Sequence, residues 1–509
     1  MGLQLALSHP LHSTPLQMQD LKQKAVRGGV ARLCAQGITF LLRIGSLIVL
    51  ARLLSPKDFG LVNMVTVFTT VLFLLRDFGL SAASVQQSTV THEQISGLFW
   101  INIVIGSVIW LLAVAFAPVV ANFYSEPRLY GVTVVLAASF FFNAVGVQHS
   151  ALLQRQMRFT TLALINMISS ASGVAIAIAA AMAGYGYWAL VAMSVTSPLI
   201  ATLCFWLATG WVPSRPYKRT GIGSLFRFGS GLTLTSILVY IGYNAEKVMI
   251  GRLWGAEAIG IYGRGYQIIS IPTDNLNAAI GEVAFATLSR LQDDPVRFKN
   301  YFLKGFSLVL GLTLPVTIAC GLFADDIVYV VLGPTWNDAA AIVRLLAPTI
   351  TVFAIINPLG WVVFSMGLIK RGMKAAPVIA TLMIIGYVIS LPYGPKGVAF
   401  AYSAVLTLWV IPHIFWCAHR TPISFWDILK AISRPLCCGI VAGGIALSVR
   451  LALGGAVSPL PRLLLESGVL FGAFFTVLLF AAGQKSLYLE TLNGLRGSSS
   501  TAGRISASA

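Results

Sequence analysis

The chain has 509 residues, of which 57% are hydrophobic and only 10% are charged, and its mean hydropathy is +0.82. This balance excludes an ordinary soluble globular domain and predicts a protein that resides in a lipid bilayer. The formal net charge of +18 would suit a nucleic-acid partner. The basic residues lie in short stretches beside apolar runs, however, where membrane topology and anionic lipid headgroups explain them, so no nucleic-acid partner is expected.

Long apolar runs follow one another along almost the whole chain. At about 20 apolar residues for each bilayer crossing, the sequence predicts fourteen membrane spans. The runs lack the alternation of barrel strands, so the predicted fold is an all-α integral membrane protein. The predicted spans are 33–53, 60–82, 98–121, 130–152, 161–183, 187–208, 228–251, 259–281, 304–323, 339–366, 375–393, 397–417, 435–453 and 461–482.

The spans group into two six-helix lobes, followed by two further helices. The predicted organisation in chain order is a cytoplasmic N-terminal segment (1–28), an N-lobe (29–210), a basic cytoplasmic linker (211–227), a C-lobe (228–418), the last two spans (419–482) and a disordered cytoplasmic tail (483–509). With both termini in the cytoplasm, most of the 35 Lys and Arg residues fall in cytoplasmic loops and tails. This distribution satisfies the positive-inside rule with an even number of spans.

An internal repeat supports the division into lobes. ARLLSPKDFGLV (51–62) and GRLWGAEAIGIY (251–262) stand 200 positions apart and share Arg, Leu and Gly at equivalent positions. A second pair follows in the same order, FAPVVANFYSEPRLYGVTVVLA from Phe116 and FADDIVYVVLGPTWNDAAAIVRLLA from Phe323. Repeated halves in a membrane protein are typical of a transporter, in which two bundles rock about a site between them.

Charged residues inside the first two spans are candidates for that site. Arg43 lies about ten residues from either end of its span, which at 1.5 Å per residue places it about 15 Å from each membrane surface. An ionisable group at that depth is costly against lipid, so we predict that Arg43 faces a wet cavity; a structural ion pair is the alternative. Arg76 lies beside Asp77 near the end of the second span, where local pairing or snorkelling is an equal alternative to cargo binding.

The C-lobe carries a second set of charges at one depth. Lys247, Arg264 and Arg344 are predicted to line a cavity with Glu246 as counter-charge, and an interfacial ring of snorkelling bases is the alternative. Asp274, which follows Pro272, and Glu282 complete the set. Asp77, Glu246, Asp274 and Glu282 could each take a proton or Na⁺, or could neutralise an arginine.

Other kinds of site are not expected. The six cysteines lie in or beside apolar spans without CxxC spacing, so neither a metal site nor a disulfide framework is predicted. There is no GxxxxGK[ST] loop for ATP, and no cofactor is expected apart from coupling to H⁺ or Na⁺. Asp325, Asp326 and Asp338 form the most acidic outer connection, which we interpret as a solvated loop.

Two runs resemble a known family. LARLLSPKDFGLVNMVTVFTTVLFLLRDFGLSAASVQQ (Leu50–Gln87) resembles the first two spans of Wzx-type polysaccharide flippases, a branch of the multidrug/oligosaccharidyl-lipid/polysaccharide (MOP) exporter superfamily. YNAEKVMIGRLWGAEAIGIYGRGYQIISIP (Tyr243–Pro272), with AFATLSRLQDD and FADDIVYVVLGPTW after it, is similar to their second half. The match covers about residues 28–480 and points to the colanic-acid-exporter-like group, although the family motif has an aspartate where this chain has Glu246.

The resemblance implies that the protein is a transporter and no enzyme, and that it acts in a bacterial inner membrane. Its cargo would be an oligosaccharide on undecaprenyl pyrophosphate, moved by alternating access through an arginine-lined cavity for exopolysaccharide, capsule or O-antigen synthesis. Membrane lipids, and with them a polysaccharide polymerase and a chain-length regulator, would be its partners.

Other functions stay open from the residues alone. A cation-coupled drug or metabolite antiporter of the same superfamily would share the spans and the repeat. A membrane polysaccharide polymerase or glycosyltransferase would need catalytic acids on a sizeable outer segment, whereas the outer loops here are short. A purely structural scaffold would have no use for costly midplane charges.

Overall fold

The computed structural model describes residues 37–77, 92–215, 223–454, 457–486 and 488–489. The predicted segment 1–28 and most of the predicted tail 483–509 lie outside these residues. Every regular element within them is helical, which confirms the predicted all-α fold. In an apolar medium each backbone N–H and C=O group must find its partner within the segment, and a helix achieves this for every long apolar run.

The chain separates into two units, residues 1–54 with 68–234, and residues 55–67 with 235–509. The helix Pro56–Asp77 is shared between them, because its first part belongs to the second unit and its remainder to the first. The helices of the first unit are α1 (37–53), the later part of α2 (Pro56–Asp77), α3 (His92–Tyr124), α4 (Arg128–Arg155), α5 (Phe159–Met182) and α6 (Trp188–Thr209).

In the first unit α4 packs against both α3 and α6. Gly146 allows the close approach to α6, because a Cβ atom at this position would overlap the Thr202 side chain. Thr202 donates a hydrogen bond to the Phe142 carbonyl at 2.7 Å, and His149 Nδ1 lies 2.8 Å from Thr209 Oγ1. Small residues and interhelical hydrogen bonds of this kind hold membrane helices together where lipid gives no hydrophobic drive.

The second unit contains the remaining helices. They are α7 (Gly223–Arg290, whose first residues belong to the first unit), α8 (Pro295–Leu322), α9 (Ala324–Val331), α10 (Ala339–Leu346), α11 (Pro348–Ser365), α12 (Ile369–Ser390), α13 (Gly394–Ala418), α14 (Phe425–Leu453) and α15 (Pro459–Thr476). Ser424 and Asp427 form a capping box at the start of α14, and Asp427 also binds Lys299 of α8 at 2.7 Å. This pairing joins the start of α14 to the start of α8.

A glycine divides α7 into two helical segments. Gly255 has φ 80° and ψ −176°, a conformation that breaks the helix and that residues with a Cβ atom rarely adopt. The break falls between the predicted spans 228–251 and 259–281, so the two segments correspond to these spans. The glycine therefore lets two spans follow each other almost without a loop.

The repeat glycines meet each other in the second unit. A Cβ atom at Gly60 would overlap the carbonyl of Ala256, and a Cβ atom at Gly260 would overlap the carbonyl of Pro56. Because Pro56 and Gly60 stand 200 positions before Ala256 and Gly260, equivalent residues make the same contact in both directions. A reciprocal contact of this kind is typical of a two-fold axis, here within one chain. The two glycines shared by the repeat therefore have a packing role.

Among the described residues, ten helical stretches are long and apolar enough to span a membrane. One of them, Arg371–Ala418, holds both α12 and α13, which are separated by the 3₁₀ turn Leu391–Tyr393. Helix α1 and the two segments of α7 overlap the other predicted spans. Each of the fourteen predicted spans thus overlaps with helical residues in the described part of the chain, and span 339–366 holds both α10 and α11.

Candidate functional site

A buried acid–base pair lies on the first segment of α7. Lys247 Nζ donates a hydrogen bond to Asn244 Oδ1 at 2.6 Å and lies 4.0 Å from Glu246 Oε1. The ammonium group also lies 4.3 Å from the ring centre of Tyr266, within range of a cation–π interaction. Asn244 and Lys247 are three residues apart and so share one helix face, which explains their contact.

Glu246 is fully buried, and neither of its carboxyl oxygens has a hydrogen bond to any described residue. Lys247 at 4.0 Å is its ion-pair partner in the described structure. An ionised carboxylate buried with so little compensation is unfavourable. The position can therefore hold a proton or a small cation at lower cost than a bare negative charge.

Five tyrosines on three helices surround this region. The ring centre of Tyr402 lies 5.8 to 6.4 Å from those of Tyr243, Tyr266 and Tyr387. The ring centre of Tyr262 lies 6.5 Å from that of Tyr266, and the hydroxyls of Tyr266 and Tyr402 are 3.3 Å apart. Tyr387 donates a hydrogen bond to the carbonyl of Gly242 at 3.2 Å, which ties α12 to α7 beside the acid–base pair. We call these residues the tyrosine cluster: Tyr243, Tyr262, Tyr266, Tyr387 and Tyr402.

Arg264 makes a separate set of contacts. Its guanidinium group donates to Gln267 and stacks on the ring of Phe59 at 3.7 Å from the ring centre. Phe59 in turn packs edge-on against the buried Trp336 at 5.4 Å. The Nε atom of Arg264 is buried and has no hydrogen-bond partner among the described residues. Arg264 is thus held by stacking and retains an unused donor.

Arg344 binds Asp325 at 2.6 Å, and Asp325 also accepts from Arg450 at 3.3 Å. The Arg344 side chain is 48% exposed. The structure thus pairs Arg344 with α9, the short helix that carries Asp325, and does not join it to Lys247 by a hydrogen bond or ion pair. Its role as a cargo ligand stays a prediction.

The predicted solvated character of the acidic connection was wrong for Asp326. Its side chain is 2% exposed, and it forms a bidentate ion pair with Arg462 of α15. Asp325 and Asp326 lie in the first turn of α9, an amphipathic helix, and this places Asp326 toward the interior. The sequence did not reveal this pairing because Arg462 is more than 130 positions away.

Asp274 lies at the edge of a cavity of about 210 Å³ on the second segment of α7. The opposite wall is α11, with Thr349, Phe353 and Asn357 spaced four residues apart. Sequence reasoning did not select these α11 residues, although their spacing of four is a readable sign of one helix face. The tyrosine cluster was also missed, because tyrosines on three helices carry no spacing signal.

The remaining predicted site residues fall outside this region or outside the described side chains. Arg43 is exposed on α1 in the first unit, and its backbone carbonyl accepts from Ser46 Oγ at 2.9 Å. The side chains of Arg76 and Asp77, at the end of α2, and of Glu282, on α7, are not among those described. The cavity roles of Arg43 and Arg76 therefore stay predictions. Among the described residues no group of His, Cys, Asp or Glu could hold a metal ion.

The chain matches, over residues 49–341, a family described as polysaccharide biosynthesis proteins. The teichuronic acid biosynthesis protein TuaB of Bacillus subtilis (strain 168) is 26% identical over 396 residues, which are 75% of this chain and 80% of that protein. The lipopolysaccharide biosynthesis protein WzxC of Escherichia coli (strain K12) is 24% identical over 347 residues, 67% of this chain and 70% of that protein.

Solved structures of transporters have a similar fold. The lipid II flippase MurJ in its inward closed conformation has a TM-score of 0.71 at 13% identity and covers 88% of this chain and 98% of its own. An inward-facing multidrug resistance transporter of the MATE family has a TM-score of 0.60 at 12% identity, with coverages of 77% and 97%. The family match includes more than half of the chain, and the resemblance noted in residues 50–87 and 243–272 is confirmed. The chain therefore belongs to the family described as polysaccharide biosynthesis proteins, and it shares its fold with these transporters.

Proposed function

We propose that this protein moves saccharide repeat units, linked to undecaprenyl pyrophosphate, from the inner to the outer leaflet of a bacterial inner membrane. The family match carries the proposal, because it spans residues 49–341 and so includes Glu246, Lys247, Arg264 and Asp274. The names of the relatives point the same way, since they refer to teichuronic acid, to lipopolysaccharide and, in Rhizobium meliloti, to a succinoglycan biosynthesis transport protein. In this setting a polymerase and a chain-length regulator would use the product.

Basic side chains would bind the pyrophosphate. A guanidinium group pairs with phosphate oxygens through two parallel hydrogen bonds, and Arg43 is exposed on α1 without a hydrogen bond or ion pair of its guanidinium to a described residue. Lys247 would add a second positive charge, and Arg264 a third through its unused Nε donor. Arg76 belongs to the same proposal through its position on α2. Alternating access would expose these groups to each side of the membrane in turn.

Glu246 is the carboxyl group that best suits coupling to an ion gradient. It is fully buried beside Lys247, and its oxygens have no hydrogen bonds to described residues, so a proton or Na⁺ would remove an unfavourable charge. Binding of the ion would also free Lys247 from its counter-charge, which makes the lysine more available to an anionic cargo. Asp77, Asp274 and Glu282 remain further candidates for this role.

The experiment replaces Arg43 in cells whose own gene has been deleted. Arg43→Ala is expected to lower surface polymer at least tenfold, the equivalent of about 1.4 kcal/mol of lost phosphate binding. Because Arg43 is exposed, thermal stability should change by less than about 0.5 kcal/mol, and the amount in the membrane should be normal. Arg52→Ala, another exposed arginine at the end of the same helix, is the matched control and should export normally. Normal export by the Arg43 variant would refute a cargo-binding role for this residue.

A further inference from the structure

Two helix faces in the second unit confront each other across a mixed polar and aromatic cleft. On α11, Thr349, Phe353, Asn357 and Trp361 follow at intervals of four and therefore form one stripe. On α7, after the break at Gly255, Tyr266, Ser270, Thr273 and Asp274 form the facing stripe. The cleft thus combines side chains that hydrogen-bond with flat aromatic rings.

The cleft consists of two adjoining cavities. The larger, of about 210 Å³, reaches from Tyr266 to Asn357, and the smaller, of about 20 Å³, continues to Trp361. They share Thr273, Phe353 and Asn357 as lining residues, so the two cavities are direct neighbours. This volume is below the roughly 300–1,000 Å³ of sites that enclose a drug-sized ligand. The cleft is therefore suited to one ring-sized group.

The side chains of the cleft match the chemistry of a sugar ring. The Asp274 carboxylate can accept from ring hydroxyls, and the Asn357 amide can both donate and accept. The hydroxyls of Ser270 and Thr273 donate to the carbonyls of Gln267 and Ile269 in their own helix, at 3.3 and 3.2 Å, and can still accept. The amide of Asn357 has no hydrogen bond to any described residue, so it is available to a ligand. Trp361 and Phe353 offer apolar faces for the C–H face of a pyranose. The negative charge of Asp274 would repel an anion, so the pyrophosphate of a cargo would bind elsewhere.

We propose that this cleft binds one sugar ring of the transported saccharide. The proposal rests on the proposed function and names the part of the cargo that the second unit would recognise. Lys247 lies at one end of the cleft, over the ring of Tyr266 and within electrostatic reach of Asp274. A sugar in the cleft would therefore be positioned next to the charge that the proposed function assigns to the pyrophosphate.

The test compares two lipids that differ only in the sugar. Full-length protein in detergent is titrated with undecaprenyl pyrophosphate, and with the saccharide-bearing form of this lipid that accumulates in a host lacking the transporter, and native mass spectrometry reports binding. Wild type should bind the saccharide-bearing lipid more tightly. Asn357→Ala and Asp274→Asn should each weaken that binding roughly tenfold, the value of a lost hydrogen bond to a polar or charged partner, and leave binding of the sugarless lipid within twofold.

Asn143→Ala is the matched control, because this half-buried amide on α4 donates to the carbonyl of Ser139 in its own helix at 2.8 Å. It should bind both lipids as wild type does. If wild type prefers the saccharide-bearing lipid and both cleft variants keep the full preference, the sugar site is refuted and the proposed function stands. If wild type binds neither lipid, both are refuted. Loss of a sodium-induced rise in melting temperature, with sugar binding intact, would instead make the cleft a cation site.

Discussion

Helix α1 of the first unit and the first segment of α7 are equivalent in the repeat, yet they hold charge differently. Arg43 is exposed on α1, while the equivalent position on α7 is Tyr243 of the tyrosine cluster. Glu246 and Lys247 form a buried pair, while their equivalents Ser46 and Leu47 are a helix-bonded hydroxyl and a buried apolar side chain.

The basic residues of the two helices, Arg43 and Lys247, are displaced by one helical turn relative to the repeat. Arg43 and Lys247 would be four positions apart if the repeats were superposed, and residues four apart lie on the same helix face. The duplicated framework therefore presents a base on the same helix face in both halves, but one turn apart along the helix. Among the described residues, only Lys247 has a counter-charge. The comparison teaches that the helices were retained and the charges were not.

The largest effect on stability is expected at the buried pair. Lys247→Met leaves Glu246 buried without its ion-pair partner, which should cost about 3 kcal/mol in the free energy of unfolding. Thermal unfolding of the purified protein measures this loss. The double variant Glu246→Gln with Lys247→Met should recover most of it, because no charge remains buried. A double variant as unstable as the single one would show that Lys247 stabilises the fold through its hydrogen bond to Asn244 and not through its ion pair with Glu246.

A smaller loss is expected where the repeats meet. Gly60→Ala should destabilise the protein by about 1–3 kcal/mol, since the added methyl group overlaps the Ala256 carbonyl. Helix propensity alone predicts the opposite, a gain of about 1 kcal/mol. Gly45→Ala on α1 is the matched control, because nothing lies within 4 Å of its added Cβ and the equivalent residue is Ala245. Equal melting temperatures for the two variants would contradict a close contact at Gly60.

The smallest effect is expected at Arg344. Its pair with Asp325 is exposed, and Arg450 still binds Asp325 at 3.3 Å, so Arg344→Ala should cost less than about 1 kcal/mol. If Arg344 serves only to bind Asp325, export should fall by less than twofold. Arg462→Ala should be more destabilising than Arg344→Ala, because it leaves the Asp326 carboxylate buried without its ion pair to Arg462. A tenfold loss of export from Arg344→Ala, with stability intact, would instead support its predicted place in the cavity.

Much of the fold could be predicted because each membrane helix corresponds to one continuous apolar segment of the sequence. The composition predicted that the protein resides in a bilayer, and the length of the apolar runs predicted the spanning helices. Gly60 and Gly260 were recognised as equivalent positions of the repeat from the sequence, and the structure then showed their contact. The candidate site was only partly predictable. Glu246 and Lys247 were found because a charge within an apolar run is conspicuous, whereas Asn357 and the tyrosines are uncharged and common in such runs.

The sequence by itself determined that this chain is a membrane-spanning helical protein with two related halves, because hydrophobic length and periodicity are local properties that the bilayer enforces. Only the tertiary structure decided which charges have partners. It joined Arg344 to Asp325 and Arg462 to Asp326, paired Lys247 with Asn244 and Glu246, and set α7 against α11 around a cleft. These contacts link residues that are distant in the chain or depend on side-chain direction, and both are fixed by helix packing and not by local composition.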